Sequence, residues 1–361
     1  MKSIRSLILI SVILFSCNEK EVHTTTEEPT APTSAKNIIL LIGDGMGLSE
    51  VSASQFYNEN PSNFDRFPVI GLSKTSASDN LITDSAAGAT AFASGIKTYN
   101  GAIGVNPDTI AVPTIIENLS AKEFATGVIA TSSITHATPA SFYAHVKSRS
   151  LYEDIAAFLP TSEVDFFAGG GLQFFNKRED KTDLIALFED NKFHIDTTGL
   201  NGKPSAEKQG FLLAQNAMPT METRGDFLPK ATQLALDQLS KNEQGFFLVV
   251  EGSQIDWGGH DNDATYLIAE LIDFDTTIGV ALDFAEKNSE TLVIVTADHE
   301  TGGFTLSSDE RGGYNKIKPT FSTDGHSATM VPVFAKGPGA SAFGGVYQNN
   351  AIYQKMMDAI K

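Results

Sequence analysis

Apolar and polar positions along this chain follow two spacings. Six runs are almost continuously apolar: 37–43 (NIILLIG), 125–131 (ATGVIAT), 164–170 (VDFFAGG), 245–252 (GFFLVVEG), 291–298 (TLVIVTAD) and 330–337 (MVPVFAKG). Short apolar runs without alternation predict strands covered on both faces. Between them, 113–122, 227–241 and 264–286 carry apolar residues at helical spacing. Strands alternating with helices predict an α/β fold with three layers, α/β/α, around a central, mostly parallel sheet. The stretch 305–325 is polar and contains glycine, and predicts a small surface excursion. There is no internal repeat.

In open α/β sheets, ligands sit beyond the carboxyl ends of the strands, and that is where ionisable residues recur here. The first run ends in Asp44, and 125–131 is followed by His136 and Thr138. The run 245–252 delivers Glu251, then Asp256 and His260; 291–298 delivers Asp298 and His299, followed by Glu300. If these strands are adjacent and parallel, the groups converge.

Composition narrows the partners. The chain has 361 residues, 41% hydrophobic and 19% charged, enough for a large core, with a formal net charge of -18. That balance argues against nucleic acid as a partner, since nothing would neutralise a phosphate backbone. It leaves small anions open, because a local cluster of metal and arginine overrules a global field. The N-terminus, MKSIRSLILISVILFSC, has two basic residues and an apolar run of signal-peptide length that ends at Cys17, the one cysteine. It resembles a bacterial lipobox. The expectation is a leader over 1–16, a lipidated Cys17 as first mature residue, and an exported protein, periplasmic or at the cell surface, that meets the membrane only through its anchor. Residues 18–36, rich in Thr, Glu and Pro and containing His23, predict a flexible tether. One cysteine allows no intramolecular disulfide.

The candidate donors are Asp44, Glu251, Asp256, His260, Asp298, His299 and, further on, His326 in DGHSA. Mixed imidazole and carboxylate sets suit zinc, and all-oxygen sets suit magnesium. Seven donors exceed the needs of one ion and point to two or more. Two-metal sites clamp the attacking and leaving oxygens of a phosphoryl displacement. In ITDSAAGATAFASG, residues 82–95, Ser85 falls in the first turn of a small-residue helix, where an anion is favoured. From this segment alone it reads equally as a nucleophile or as an N-cap. Arg149, in KSRS, has the planar fork that matches two phosphate oxygens, or is a surface residue.

Six segments in this order, LLIGDGMG, TDSAAGATAFASG, HATPASFYAHVKSR, EGSQIDWGGH, TADHETGG and DGHSA, resemble the alkaline phosphatases over nearly all of 37–340. The resemblance implies a domain over 37–361 with 305–325 as a reduced crown-like insertion. It implies two zinc ions and one magnesium ion as cofactors. Asp256, His260 and His326 would hold the first zinc; Asp44, Asp298, His299 and Ser85 the second. Asp44 would bridge to the magnesium, held by Thr138 and Glu251. Arg149 would grip the phosphate. The implied activity is hydrolysis of phosphate monoesters through a phosphoserine at Ser85, favoured at alkaline pH. Many bacterial members carry Asp where this chain has His136 and Lys where it has Trp257. Trp257 is expected to border the substrate with Arg149, and His136 to serve the third metal position, there weakening magnesium relative to Asp. The small insertion weakens the inference of a homodimer without removing it.

Other superfamily members fit less well. Phosphodiesterases generally lack the magnesium group and the arginine. Sulfatases need a C/S-x-P-x-R motif, absent around Ser85. Cofactor-independent phosphoglycerate mutases are cytosolic and carry a large inserted domain. A catalytically dead binding lipoprotein would not need the intact Asp84-Ser85 pair. Glu300 reads as a loop carboxylate, His145 as a packed side chain, and His194 as a histidine without a partner.

Overall fold

The computed structural model describes residues 33–309 and 314–360. The leader, Cys17 and all but the last residues of the tether lie outside the described residues. The fold reaches slightly further upstream than position 37: Ala35 is buried and its N–H donates to the Ala359 carbonyl.

Fourteen strands are present among the described residues. They are β1 (Asn37–Gly43), β2 (Val69–Lys74), β3 (Ala125–Ser133), β4 (Phe166–Gly170), β5 (Phe193–Asp196), β6 (Lys208–Leu212), β7 (Phe246–Gly252), β8 (Thr291–Thr296), β9 (Glu300–Thr301), β10 (Thr305–Ser308), β11 (Ile317–Thr320), β12 (His326–Ser327), β13 (Val331–Lys336) and β14 (Gly345–Gln348). Ten form one sheet in the order β14-β2-β13-β8-β1-β7-β3-β4-β6-β5. From β8 to β5 every pairing is parallel; β13 runs antiparallel to both β8 and β2. Two small antiparallel ribbons, β10–β11 and β9–β12, lie outside it. The first of these is what the 305–325 excursion forms.

The continuous apolar runs have a simple cause. In β1, Ile38, Leu40 and Ile42 belong to the core on one face, with Ala86, Ala89 and Phe92 of the helix Ser85–Ser94. Ile39 and Leu41 belong to the core on the other, with Leu267, Leu271 and Phe274 of the helix Ala264–Lys287. Successive side chains point to opposite faces, and both faces are covered, so the middle of the strand has no solvent face for a polar side chain. β7 and β8 divide their side chains in the same way. The four central strands, β8, β1, β7 and β3, are adjacent and parallel, and each delivers its polar residues past the same edge of the sheet.

Candidate metal centre and active site

Three groups of donors meet at that edge: Asp256 with His260 and His326; Asp44 with Asp298 and His299; and Asp44 with His136 and Glu251. Asp44 belongs to two of them. Helix Gln254–His260 brings Asp256 and His260 together one turn apart, and ribbon β9–β12 carries His326 to them.

The histidine geometry defines the lone pairs. His260 Nδ1 lies 2.6 Å from the Asp324 carbonyl, and His326 Nδ1 lies 2.9 Å from the Thr83 carbonyl. A carbonyl only accepts, so in each neutral ring Nδ1 carries the proton and Nε2 presents a lone pair. Yet the two Nε2 atoms are 3.1 Å apart, and Asp256 Oδ1 is 3.4 and 3.6 Å from them. Acceptors aimed at one point without a donor fit a cation. The second group repeats the pattern: His299 Nε2 lies 3.4 Å from Asp44 Oδ1, from Asp298 Oδ2 and from Ser85 Oγ. The rings of His299 and His326 stack at 3.5 Å, so the first and second groups are neighbours.

Electrostatics agrees. Burial, with repulsion from Asp298, Asp256 and Glu251, holds the Asp44 carboxyl well above its usual range. Burial also raises Asp298, and pushes Glu251 up to about 7. Burial lowers His299 to about 3, and burial with the Arg149 charge lowers His136 to about 3. Both imidazoles are neutral, so they offer the carboxylates no charge. Buried without any hydrogen-bond partner are both oxygens of Asp44, Asp298 Oδ2, Glu251 Oε1 and Thr138 Oγ1. Orphaned buried acceptors are costly unless a ligand satisfies them. Divalent cations would do so here.

Ser85 is the first residue of its ten-residue helix, and Asp84 is the N-cap, its Oδ1 accepting from Ala87 N at 3.0 Å. The structure thus separates the two readings of Ser85: the capping task belongs to its neighbour. Small residues let this helix approach the site. A Cβ on Gly88 would lie 2.9 Å from Asp298 Cβ. Arg149 is not a free surface residue. It donates from Nη1 to Asp84 Oδ2 at 3.0 Å and from Nη2 to His136 Nε2 at 3.3 Å. Trp257 stands edge-on to His136, ring centroids 5.9 Å apart. Glu251 Oε2 accepts from Ser253 Oγ at 2.5 Å and from Ser132 Oγ at 3.3 Å.

Two expectations change. Glu300 is a buried residue of β9, not a loop carboxylate; it accepts from Phe304 N at 3.0 Å and from the Ser327 hydroxyl. His145 does more than pack, since Nδ1 meets the Gly104 carbonyl at 2.6 Å and Nε2 meets Glu117 Oε1 at 3.1 Å. The sequence reading gave no role to Asp84 or Thr301, which join site residues together. An Asp before a small-residue helix is a cap signal that points to the first; nothing local marks the second.

A hydroxyl at a helix N-terminus, an arginine and overlapping metal-ligand groups at the carboxyl edge of a parallel sheet define a metal-dependent phosphoryl-transfer hydrolase. The comparisons narrow this. The alkaline phosphatase family model matches residues 35–320. Alkaline phosphatase 3 of Bacillus subtilis is 37% identical over 337 residues, 87% of this chain and 72% of that protein. The structure of the alkaline phosphatase from the Antarctic bacterium TAB5 superposes with a TM-score of 0.89 at 55% identity, over 90% of this chain and 98% of that one. A histidine-to-aspartate mutant of that enzyme, with Mg bound in its M3 site, gives 0.89 at 54% identity, over 91% and 98%. The chain belongs to the alkaline phosphatase family and hydrolyses phosphate monoesters.

Proposed function

We propose that the three donor groups hold two zinc ions and one magnesium ion, and that Ser85 is the nucleophile. Asp256, His260 and His326 would take the first zinc, and Asp44, Asp298 and His299 with Ser85 the second. Asp44, Thr138 and Glu251 would take magnesium, with His136 beside them. The observation that carries this reading is the convergence of bare Nε2 atoms and orphaned carboxylate oxygens around Ser85 Oγ. Bound ions would supply Lewis acidity to the phosphate and lower the pKa of coordinated hydroxyl and water.

The chain's own groups do the rest. Ser85 Oγ attacks phosphorus, the bond to the leaving alkoxide breaks, and a phosphoserine remains. Water then attacks that phosphorus, releasing inorganic phosphate and restoring Ser85. Arg149 holds two non-bridging oxygens through its planar fork, kept in place by Asp84. The free N–H groups of the helix's first turn face the same charge. Hydrolysis of a chromogenic monoester from neutral to strongly alkaline pH, with zinc and magnesium supplied, tests the assignment. Turnover should rise with pH, and Ser85→Ala should lose roughly 10⁴-fold or more in kcat. A folded, metal-loaded Ser85→Ala protein with wild-type turnover would refute it.

His136 gives the magnesium group a neutral imidazole where an aspartate would add a hard anionic oxygen. The Mg bound in the mutant of the TAB5 enzyme supports weaker magnesium binding in this chain. After equal dialysis His136→Asp should retain more magnesium than wild type; equal or lower retention refutes the idea.

The N-terminal motif supports a lipid anchor on Cys17 and export to the periplasm or cell surface, which mass spectrometry of the membrane-bound protein would test. Exposed Leu48 and Phe56 on helix Leu48–Tyr57 support a homodimer, which light scattering would test.

A further inference from the structure

Thr301 is fully buried at the junction of the elements that bear the donors. Its N–H donates to the Gly45 carbonyl at 3.1 Å, one residue past Asp44. Its backbone pairs with His326 across β9–β12. A Cβ built on Gly45 would come within 2.8 Å of Thr301 Oγ1 and of Asp256 Cα, and one on Gly259 within 2.9 Å of the Thr301 carbonyl. Glycines at 45 and 259 therefore let this threonine sit against both the Asp44 loop and helix Gln254–His260.

Its hydroxyl has two partners. Thr301 Oγ1 lies 2.5 Å from Asp256 Oδ1, in the first zinc group, and 3.2 Å from His299 Nδ1, in the second. A hydroxyl has one proton to give. The carboxylate only accepts, so the proton goes to Asp256, and the oxygen accepts from His299 Nδ1–H. That arrangement leaves His299 Nε2 bare, aimed at Ser85 Oγ, Asp44 Oδ1 and Asp298 Oδ2. One side chain thus orients a carboxylate of one group and selects the tautomer of an imidazole in the other.

We propose that Thr301 is a positioning residue that couples the two zinc sites through this single hydroxyl. The inference rests on the two-zinc reading above. Hydrogen-bond partners of metal ligands typically change metal affinity by roughly 10–100-fold. Removing this one should weaken both sites together rather than one of them.

The test is zinc titration of the full chain against a competing chelator, read as stoichiometry and affinity, together with the zinc-dependent rise in melting temperature. Wild type should take two zinc ions in these groups. Thr301→Val, which keeps shape and loses the hydroxyl, should bind both roughly 10–100-fold more weakly. Thr301→Ser, which keeps the hydroxyl, should stay near wild type. If valine prevents folding, Thr301→Ala replaces it with the same expectation. Wild-type affinity at both sites in the variant without the hydroxyl overturns the proposal, and so does weakening at one site alone. A serine variant as weak as the valine one also overturns it, since the methyl contact with Gly259 would then be the cause. Wild type taking up fewer than two zinc ions overturns the two-zinc reading itself, a failure that its own titration shows separately.

Discussion

Two regions of this protein bury several charges, and they solve the problem in opposite ways. In the first, Arg224 is buried between Glu270 and Asp273 on the long helix, donating to Glu270 from both Nη atoms at 2.8 and 2.6 Å and to Asp273 at 2.6 Å. Burial lifts Asp273 to about 6, against the pull of Arg224. The protein supplies a cation of its own, and each carboxylate of the triad accepts from the guanidinium. In the second, Asp44, Glu251 and Asp298 are equally buried, but His136 and His299 are neutral and the nearest guanidinium, Arg149, is shared with Asp84. Here the fold leaves the countercharge to the solution. A structural ion pair and a functional site are therefore told apart by whether the chain itself places a cation on its buried carboxylates.

The most severe way to break that contrast is to withdraw the ions. Chelation should lower stability by about 4 kcal/mol for each site that had held metal at a thousand times its Kd. Calorimetry with and without chelator would read this as a large drop in melting temperature that added zinc and magnesium reverse. No change would mean the acid cluster is balanced by the chain alone. Next in size is Arg224→Met. It leaves two buried carboxylates unpaired and should cost about 3–5 kcal/mol in denaturant unfolding. Added metal should not restore this loss; recovery with metal would erase the distinction.

The smallest effect sharpens the comparison at a third place. Glu50 is buried with both oxygens orphaned, facing Glu300, and burial followed by the Glu300 charge holds its carboxyl well above the usual range. An acid raised in the folded state binds its proton more tightly there than in the unfolded chain. Stability is therefore greatest below the unfolded value, near 4.3, and falls as pH rises above it. Glu50→Gln keeps a donor toward Glu300 and carries no charge, so its advantage over wild type should grow from pH 5 to pH 8. We expect a gain of about 1–2 °C in melting temperature at pH 8; an advantage that shrinks with pH would contradict the sign.

The central strands were legible because burial on both faces disfavours polar residues, and β1, β7 and β8 show it as apolar runs with polar residues only at their ends. β2, β5, β6 and β14 escaped notice. They are short and mixed, with β5 and β14 at the sheet's edges, and Gly345, Val346 and Gln348 of β14 are exposed. The antiparallel direction of β13 left no trace either, since an apolar run carries no arrow. At the site, ionisable residues directly after apolar runs stood out: Asp44, Asp298 and His299 break a rule of burial that their neighbours obey. Arg149 with Asp84, Glu50 with Glu300, and Thr301 with Asp256 and His299 did not stand out. These pairings join positions far apart in the chain, and only the folded topology brings them into register.

The strand order also has a consequence for how the molecule comes into being. β1, near the start of the domain, lies between β7 and β8, whose residues follow it by roughly two hundred positions or more. A chain emerging N-terminus first thus carries NIILLIG, with both faces apolar, for most of its synthesis before either neighbour exists. Unpaired apolar strands of that kind recruit wrong partners. The donors Asp44, Glu251, Asp298 and His326 cannot gather until the middle of the sheet closes, so catalytic competence should come last in folding, and a polypeptide stalled before residue 291 would hold neither a finished sheet nor the Asp298, His299 and His326 that complete two of the three donor groups.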